Sequence, residues 1–251
     1  STAVDCVHVA VPGSEPHLGV VGLSRAQALE RLRACVARIL MEDRVASVGV
    51  VDASRCSVGW LEELAGVSEA EGAQRVRLAD TVGIWNPFAV YDAFHRVGLA
   101  APELVLGCHA HNDLGMAVAN SLAALRAGAQ TLDGTVLGLG ERAGNAALEQ
   151  LVVAAHVSQG VDLGVRMQAL PELCALVARC AGRVIAVDTP VVGANAFLHT
   201  SGIHVHGLLR DRTTFEPYAP ELCGRTSRLA VDSHSGRTAR RVLGDGKETL
   251  R

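Results

Sequence analysis

Short β-branched runs alternate along the chain with longer amphipathic segments, the hydrophobic pattern of successive βα units and a parallel sheet. The apolar runs predict strands at Val4–Val11, Val45–Val51, Arg75–Ala79, Leu104–Cys108 and Leu132–Val136. Helix punctuation fills the intervals: Ser24 caps Arg25–Met41, Asn86-Pro87 opens Phe88–Val97, and Asp113 opens Leu114–Ala127 with Gly128 beyond its end. An internal echo, Gly72-Ala73-Gln74 before one strand and Gly128-Ala129-Gln130 before another, predicts one helix-to-strand turn used twice. Past about Gly160 the alternation stops. One further helix over Val165–Ala181 leads into a stretch rich in Gly, Pro, His, Thr and Arg, Ile185 to Arg237, with no sustained period. That tail reads as a small appended subdomain.

Composition narrows the partners. The chain has 251 residues, a net charge of -3 and only 3% aromatic residues, with no Lys/Arg run, which argues against nucleic acid and for a small molecule. No stretch approaches the roughly 18 consecutive apolar residues of a membrane span, and the first residues lack a signal-peptide pattern, so a soluble, cytoplasmic protein is expected. Seven cysteines, odd in number and without a Cys-x-x-Cys pair, fit reduced thiols, most of them packing residues.

Polar residues gather where strands end: Asp52; Asp80-Thr81; His109, His111, Asn112 and Asp113; Glu141, Arg142 and Asn145. In parallel α/β folds ligands bind at the carboxyl ends of strands. One such cluster is an ordinary polar loop; four on one edge point to a site. His109-Ala110-His111 is the sharpest feature. Alternate strand residues face the same way, so an extended His-x-His presents two imidazoles side by side to a divalent metal. A lone buried histidine is more often a satisfied core residue, and Asp113 reads as a helix N-cap. In Gly138–Asn145 the glycines permit close backbone approach, and Asn145 offers an amide oxygen to a hard cation. A dinucleotide-binding reading fails on glycine spacing and on position in the fifth unit. The tail histidines His199, His204, His206 and His234 are candidate acids, bases or ligands against a plain surface reading. A Ser hydrolase lacks its Gly-x-Ser-x-Gly elbow.

Taken in order and spacing, Leu78–Gly83, His109–Gly115, Gly138–Asn145, Ser201–His204 and His234–Arg237 resemble the acetyl-CoA-dependent 2-oxoacid condensing enzymes. That family comprises the homocitrate, isopropylmalate and citramalate synthases and belongs to the TIM-barrel metallolyases; the resemblance covers nearly the whole chain. Ser47-Val48-Gly49, Asp52–Arg55 and Val192–Phe197 read like the homocitrate branch of nitrogen fixation. The resemblance implies an incomplete TIM (β/α)8-type barrel holding strands four to eight within residues 1–160, then a terminal barrel helix and C-terminal subdomain over 161–251. It further implies a homodimer and an acyl-CoA:2-oxoacid C-acyltransferase that joins acetyl-CoA to 2-oxoglutarate on a divalent metal (Mg, Mn or Zn). His109, His111 and Asn145 match the metal ligands; Thr81, His8 and Arg55 match binders of the 2-oxoacid; His204 matches the catalytic histidine of the C-terminal subdomain.

Departures stand beside these matches. The family's opening strand, with its metal carboxylate and charge-stabilising arginine, has no counterpart here, and Val51 stands where the family carries a catalytic glutamate. Phe215 replaces a tyrosine, with Tyr218 nearby; Ser233 replaces a lysine and Thr200 an acidic residue. Two other readings therefore compete. One is an isopropylmalate or citramalate synthase, branches that often carry a histidine at position 17. The other, of a different class, is an inactive metal- or oxoacid-binding relative, which the losses favour and the retained motifs oppose.

Overall fold

Five parallel strands, β1 (Cys6–Pro12), β2 (Val45–Val51), β3 (Arg75–Asp80), β4 (Val105–Ala110) and β5 (Thr131–Leu132), lie side by side in chain order. They come from a computed structural model that describes residues 4–230 and 249–250. The chain forms two compact units, 1–147 and 148–251, and the sheet belongs to the first. Between the strands run α1 (Glu15–Val21), α2 (Arg25–Met41), α3 (Val58–Ala70), α4 (Pro87–Ala100) and α5 (Ala117–Arg126). This is an incomplete barrel of the (β/α)8 type, with β1 and β5 as its edges among the described residues.

The sheet has two unlike faces. One carries Val48, Val50, Val76, Leu78, Leu106 and Cys108, none more than 2% exposed. Onto the core they form, the helices bring Leu32, Val36, Leu61, Leu64, Phe94 and Val97. Continuous apolar burial of this kind is what a strand under a helical layer requires. The register pairs His8 with Ser47, Gly49 with Arg77, and Arg77 with Gly107. Because side chains alternate, these residues and His109 share the opposite, polar face.

Local signals fix most boundaries. Ser24 and Gln27 form a reciprocal capping box at α2, and the Asn86 side chain accepts from the backbone of Phe88 and Ala89 at α4. The repeated turn is real: Gly72 and Gly128 have φ of 90° and 106°. Ala73 and Ala129 donate back to Ser68 and Ala124, while Gln74 and Gln130 donate forward to Ala46 and Leu106.

Three expectations are corrected. Asp113 does not cap α5, which begins at Ala117; Gly115, at φ 73°, keeps the chain in a turn, and Asn112 Oδ1 accepts from Ala117 N instead. The fifth strand is shorter than Leu132–Val136, because past Asp133 the backbone turns to the glycine-rich segment, with Thr135 N donating to Ala146 O at 3.0 Å. All seven cysteines are free, but Cys6, Cys35 and Cys180 are exposed, so packing accounts for fewer than expected.

The second unit holds α6 (Leu148–Gln159), α7 (Leu170–Cys180) after a 3₁₀ turn at Met167–Ala169, and α8 (Gly202–Leu208). Strands β6 (Leu198–His199), β7 (Arg228–Leu229) and β8 (Thr249–Leu250) form a small sheet. Its core is Val205, Leu208 and Leu229, with Leu209 and Phe215 against them. The His234–Arg237 motif lies outside the described residues. Among the described residues no helix is long and apolar enough to cross a membrane.

Candidate active site

His109 is the penultimate residue of β4, and two residues on His111 remains in extended geometry, so the two imidazoles stand edge to face with centroids 5.0 Å apart. His111 forms an isolated antiparallel bridge with Asn145, and Asn112 N donates to Gly144 O at 2.9 Å. Directly opposed residues of a bridge present their side chains on one side, which places Asn145 with the histidine pair. The amide orientation is set by Nδ2, which donates to Leu139 O at 3.0 Å. Asn145 Oδ1 and His111 Nδ1 are buried with no hydrogen-bond partner among the described residues. Two idle buried polar atoms of this kind, beside a second imidazole, suit a hard or borderline divalent cation. Among the described residues no three His, Cys, Asp or Glu side chains converge, so the local donor set is two imidazoles and an amide. Burial, then His109 and Arg142, hold His111 below the ordinary imidazole pKa, which favours the neutral, ligating form.

The glycines here have steric causes. A Cβ on Gly144, where φ is 90°, would fall 1.8 Å from Gly138 O, and one on Gly140 would fall 2.3 Å from Asn145 Nδ2. Arg142 locks this loop to its neighbours: Nε and Nη2 donate to Asp113 at 2.8 and 2.9 Å, and Nη2 also donates to Thr81 O at 2.8 Å. The helix-capping role expected of Asp113 is thus replaced by a bidentate ion pair.

A second cluster closes the ends of β1 and β2. Asp52 has φ 61° and a wholly buried carboxylate. Its Oδ2 accepts from Ser14 Oγ, from His17 Nδ1 at 3.0 Å and from Arg55 Nε at 2.7 Å. The left-handed backbone aims the Asp52 N–H at Thr81 Oγ1, 2.7 Å away. Thr81 and Arg55 are therefore brought together through Asp52.

Lower on the polar face, His8 Nδ1 bonds Ser47 Oγ at 2.8 Å. The imidazole fits because Gly49 lacks a side chain; a Cβ there would lie 2.4 Å from His8 Nε2. Burial, then Arg77, lowers the His8 pKa. Arg77 Nη1 and His109 Nδ1 both meet Asp133 Oδ2, each at 2.9 Å. Burial opposes the charge on Asp133, yet His109 and Arg77 together hold its carboxyl below the usual range. Neither Arg77 nor Asp133 was a sequence candidate. The available signal was strand parity, which puts Arg77 and His109 on one face.

In the second unit His204 lies on α8, its ring stacked on Phe215 at 4.1 Å and its Nδ1 3.4 Å from His199 Nδ1. Phe215 fits beside Gly207, where a Cβ would lie 2.6 Å from the ring. Burial, then His204, lowers the His199 pKa. Tyr218 packs edge-on against Phe197 rather than on His204, and burial pushes its phenol up to about 12.

Residues 1–177 match the HMGL-like family, and residues 191–243 match the homocitrate synthase post-HMGL domain-like family. The chain is 43% identical over 237 residues to a probable 2-isopropylmalate synthase of Methanopyrus kandleri, covering 94% of this chain and 47% of that protein. It is 42% identical over 233 residues to homocitrate synthase 1 of Nostoc sp., covering 92% of this chain and 61% of the relative. It thus spans about half to three fifths of these relatives. The crystal structure of the Bacillus subtilis HMG-CoA lyase shares the fold, with a TM-score of 0.64 and 21% identity over 72% of this chain and 65% of that one.

Proposed function

The chain belongs to the HMGL-like family, and from that premise we propose that it is an acyltransferase condensing acetyl-CoA with 2-oxoglutarate to give homocitrate and free CoA. The observation that carries this reading is the paired imidazoles with Asn145 across the bridge, two of whose buried polar atoms lack partners among the described residues. His109, His111 and Asn145 would hold a divalent cation, Mg, Mn or Zn. Such an ion, when bound, polarises the ketone of a chelated 2-oxoacid as a Lewis acid.

The chain's own residues orient the acid. Thr81 Oγ1 already accepts from Asp52 N–H, so its proton is left to donate to the 2-oxoacid carboxylate. Arg55, fixed on buried Asp52 by Nε and Nη2, adds a half-exposed positive charge beside it. His8, on the polar face beside Ser47 and Gly49, suits a second, distal carboxylate. A polar imidazole there favours 2-oxoglutarate, whose second carboxylate can accept from it, over 2-oxoisovalerate or pyruvate, which have none. His204 serves as the acid-base group of the condensation. A C–C bond forms between the acetyl methyl carbon and the ketone carbon, the methyl proton leaves and the ketone oxygen gains one. Water then cleaves the thioester to release CoA and a third carboxylate. The assembly is proposed to be a cytoplasmic homodimer.

A second reading, isopropylmalate or citramalate synthase, draws on the similarity to the Methanopyrus protein and on His17. Release of free CoA thiol with 2-oxoglutarate, 2-oxoisovalerate and pyruvate separates the two. Turnover is expected with 2-oxoglutarate, and turnover with only the other two overturns the assignment. The metal is tested separately: two imidazoles and an amide should bind a divalent metal weakly, a His109→Ala/His111→Ala variant should lose that binding in equilibrium dialysis, and equal metal content would refute the ligand set.

A further inference from the structure

We propose that Asp133 is a positioning residue that locks His109 in the tautomer whose Nε2 is open to a divalent cation, and that Arg77, laid across Gly107, holds Asp133 in place. The inference rests on the metal-binding reading of His109 and His111. An ionised carboxylate only accepts hydrogen bonds. The 2.9 Å contact between Asp133 Oδ2 and His109 Nδ1 therefore places the proton on Nδ1 and the ring's lone pair on Nε2. Carboxylates bound in this way to the far nitrogen of a ligating histidine fix ring orientation and raise its basicity.

The support is built into the sheet. Asp133 N donates to Cys108 O at 2.8 Å, which pins the residue beside the end of β4. Arg77 Nη1 meets the same Oδ2 at 2.9 Å, which stops the half-buried carboxylate from turning away. Arg77 stands on β3 and Asp133 just past β5, so its side chain must cross β4. It does so where β4 has Gly107: a Cβ there would lie 2.8 Å from Thr131 Oγ1 and 3.4 Å from Arg77 Cβ and Cγ. Gly107 is therefore the gap through which a residue of one strand reaches the carboxylate two strands on. Nothing in this arrangement requires Asp133 to touch the cation, because the oxygen facing His109 is already shared between two donors.

The tautomer is read on the native metal-free protein by long-range ¹H–¹⁵N NMR correlation, with the His109 signal assigned through its loss in His109→Gln. Nδ1–H is expected, and Nε2–H overturns the proposal without any change at Asp133. Cobalt(II) titration, followed in the visible spectrum, then tests the consequence. Asp133→Leu should weaken cobalt affinity by about 10- to 100-fold, with Asp133→Asn, which keeps an acceptor, in between and the saturated spectrum unchanged. Native affinity in Asp133→Leu, or a saturated spectrum altered as by loss of an oxygen ligand, overturns the positioning role. If Asp133→Leu does not fold, Arg77→Met carries the same test, with a smaller loss expected and none refuting the lock. Native protein that binds no cobalt at all instead refutes the underlying metal reading.

Discussion

Asp52 shows how one residue's backbone can serve a side chain elsewhere. A left-handed φ is costly for most L-residues but tolerated by Asp, and here it points an N–H at Thr81 while the carboxylate gathers Ser14, His17 and Arg55. Its neighbour Val51 follows Ser47 and Gly49 in the alternation of β2 and so shares the polar face. An ionisable group placed at 51 therefore points into the site. Val51→Glu is expected to raise CoA release, on the order of 10²–10⁴-fold if it restores a general acid-base group; unchanged turnover in a folded variant would show that position 51 is not what limits the rate. Gly49→Ala makes the opposite point. Its Cβ would collide with His8 Nε2, so the KM for the 2-oxoacid should rise more than kcat falls; a change in kcat alone would remove His8 from substrate binding.

Elements obey their own local rules, and two glycines differ in sign. Gly128 closes α5 at φ 106° with nothing within 4 Å of a would-be Cβ, so Gly128→Ala meets no clash and is opposed by backbone conformation alone. A loss of about 1–2 kcal/mol is expected. Gly66, inside α3, also has open space around it but no left-handed φ, and Gly66→Ala should stabilise by about 0.5–1 kcal/mol. Urea unfolding of the two variants decides both; equal effects would mean that φ is not the controlling variable. The same conformational reading explains why the repeated Gly-Ala-Gln turn was visible in the amino-acid pattern: Ala73 and Ala129 are buried, and each Gln starts the next ladder through its N–H. An acidic residue before an apolar run is the ordinary N-cap, which is why the local pattern at Asp113 points to a role it does not have. Its actual partner, Arg142, is 29 residues away and reaches it only after the glycine-rich loop folds back.

Among the described residues three histidines, His8, His111 and His199, have pKa values lowered from 6.5, in each case first by burial. A lowered folded-state value means that the native protein binds fewer protons than the unfolded chain just below pH 6.5. Stability is then complete above pH 6.5 and falls as the pH drops through the folded values. The urea midpoint should accordingly be lower at pH 5.5 than at pH 7.5, and His8→Gln should flatten part of that slope; a midpoint constant over this range would contradict the burial of these rings. The two faces of the sheet have the same physical origin. Helices can cover only an apolar face without stranding polar groups, so the titratable residues collect on the other.

What the sequence by itself determined is what depends on neighbours along the chain. Period-2 and period-3.6 patterns, caps and turn glycines located four of the five strands closely and the helices α2 and α4, and the His-x-His spacing alone put two imidazoles on one face. What only the tertiary structure decided is which distant groups meet. Arg77 and Asp133 are 56 residues apart, and nothing in either local pattern says that β4 would present Gly107 between them. Likewise Asp52 and Thr81 are joined across 29 residues by one backbone N–H. Such pairings depend on strand register and on the space a missing side chain leaves, and both quantities exist only once the strands have been laid beside one another.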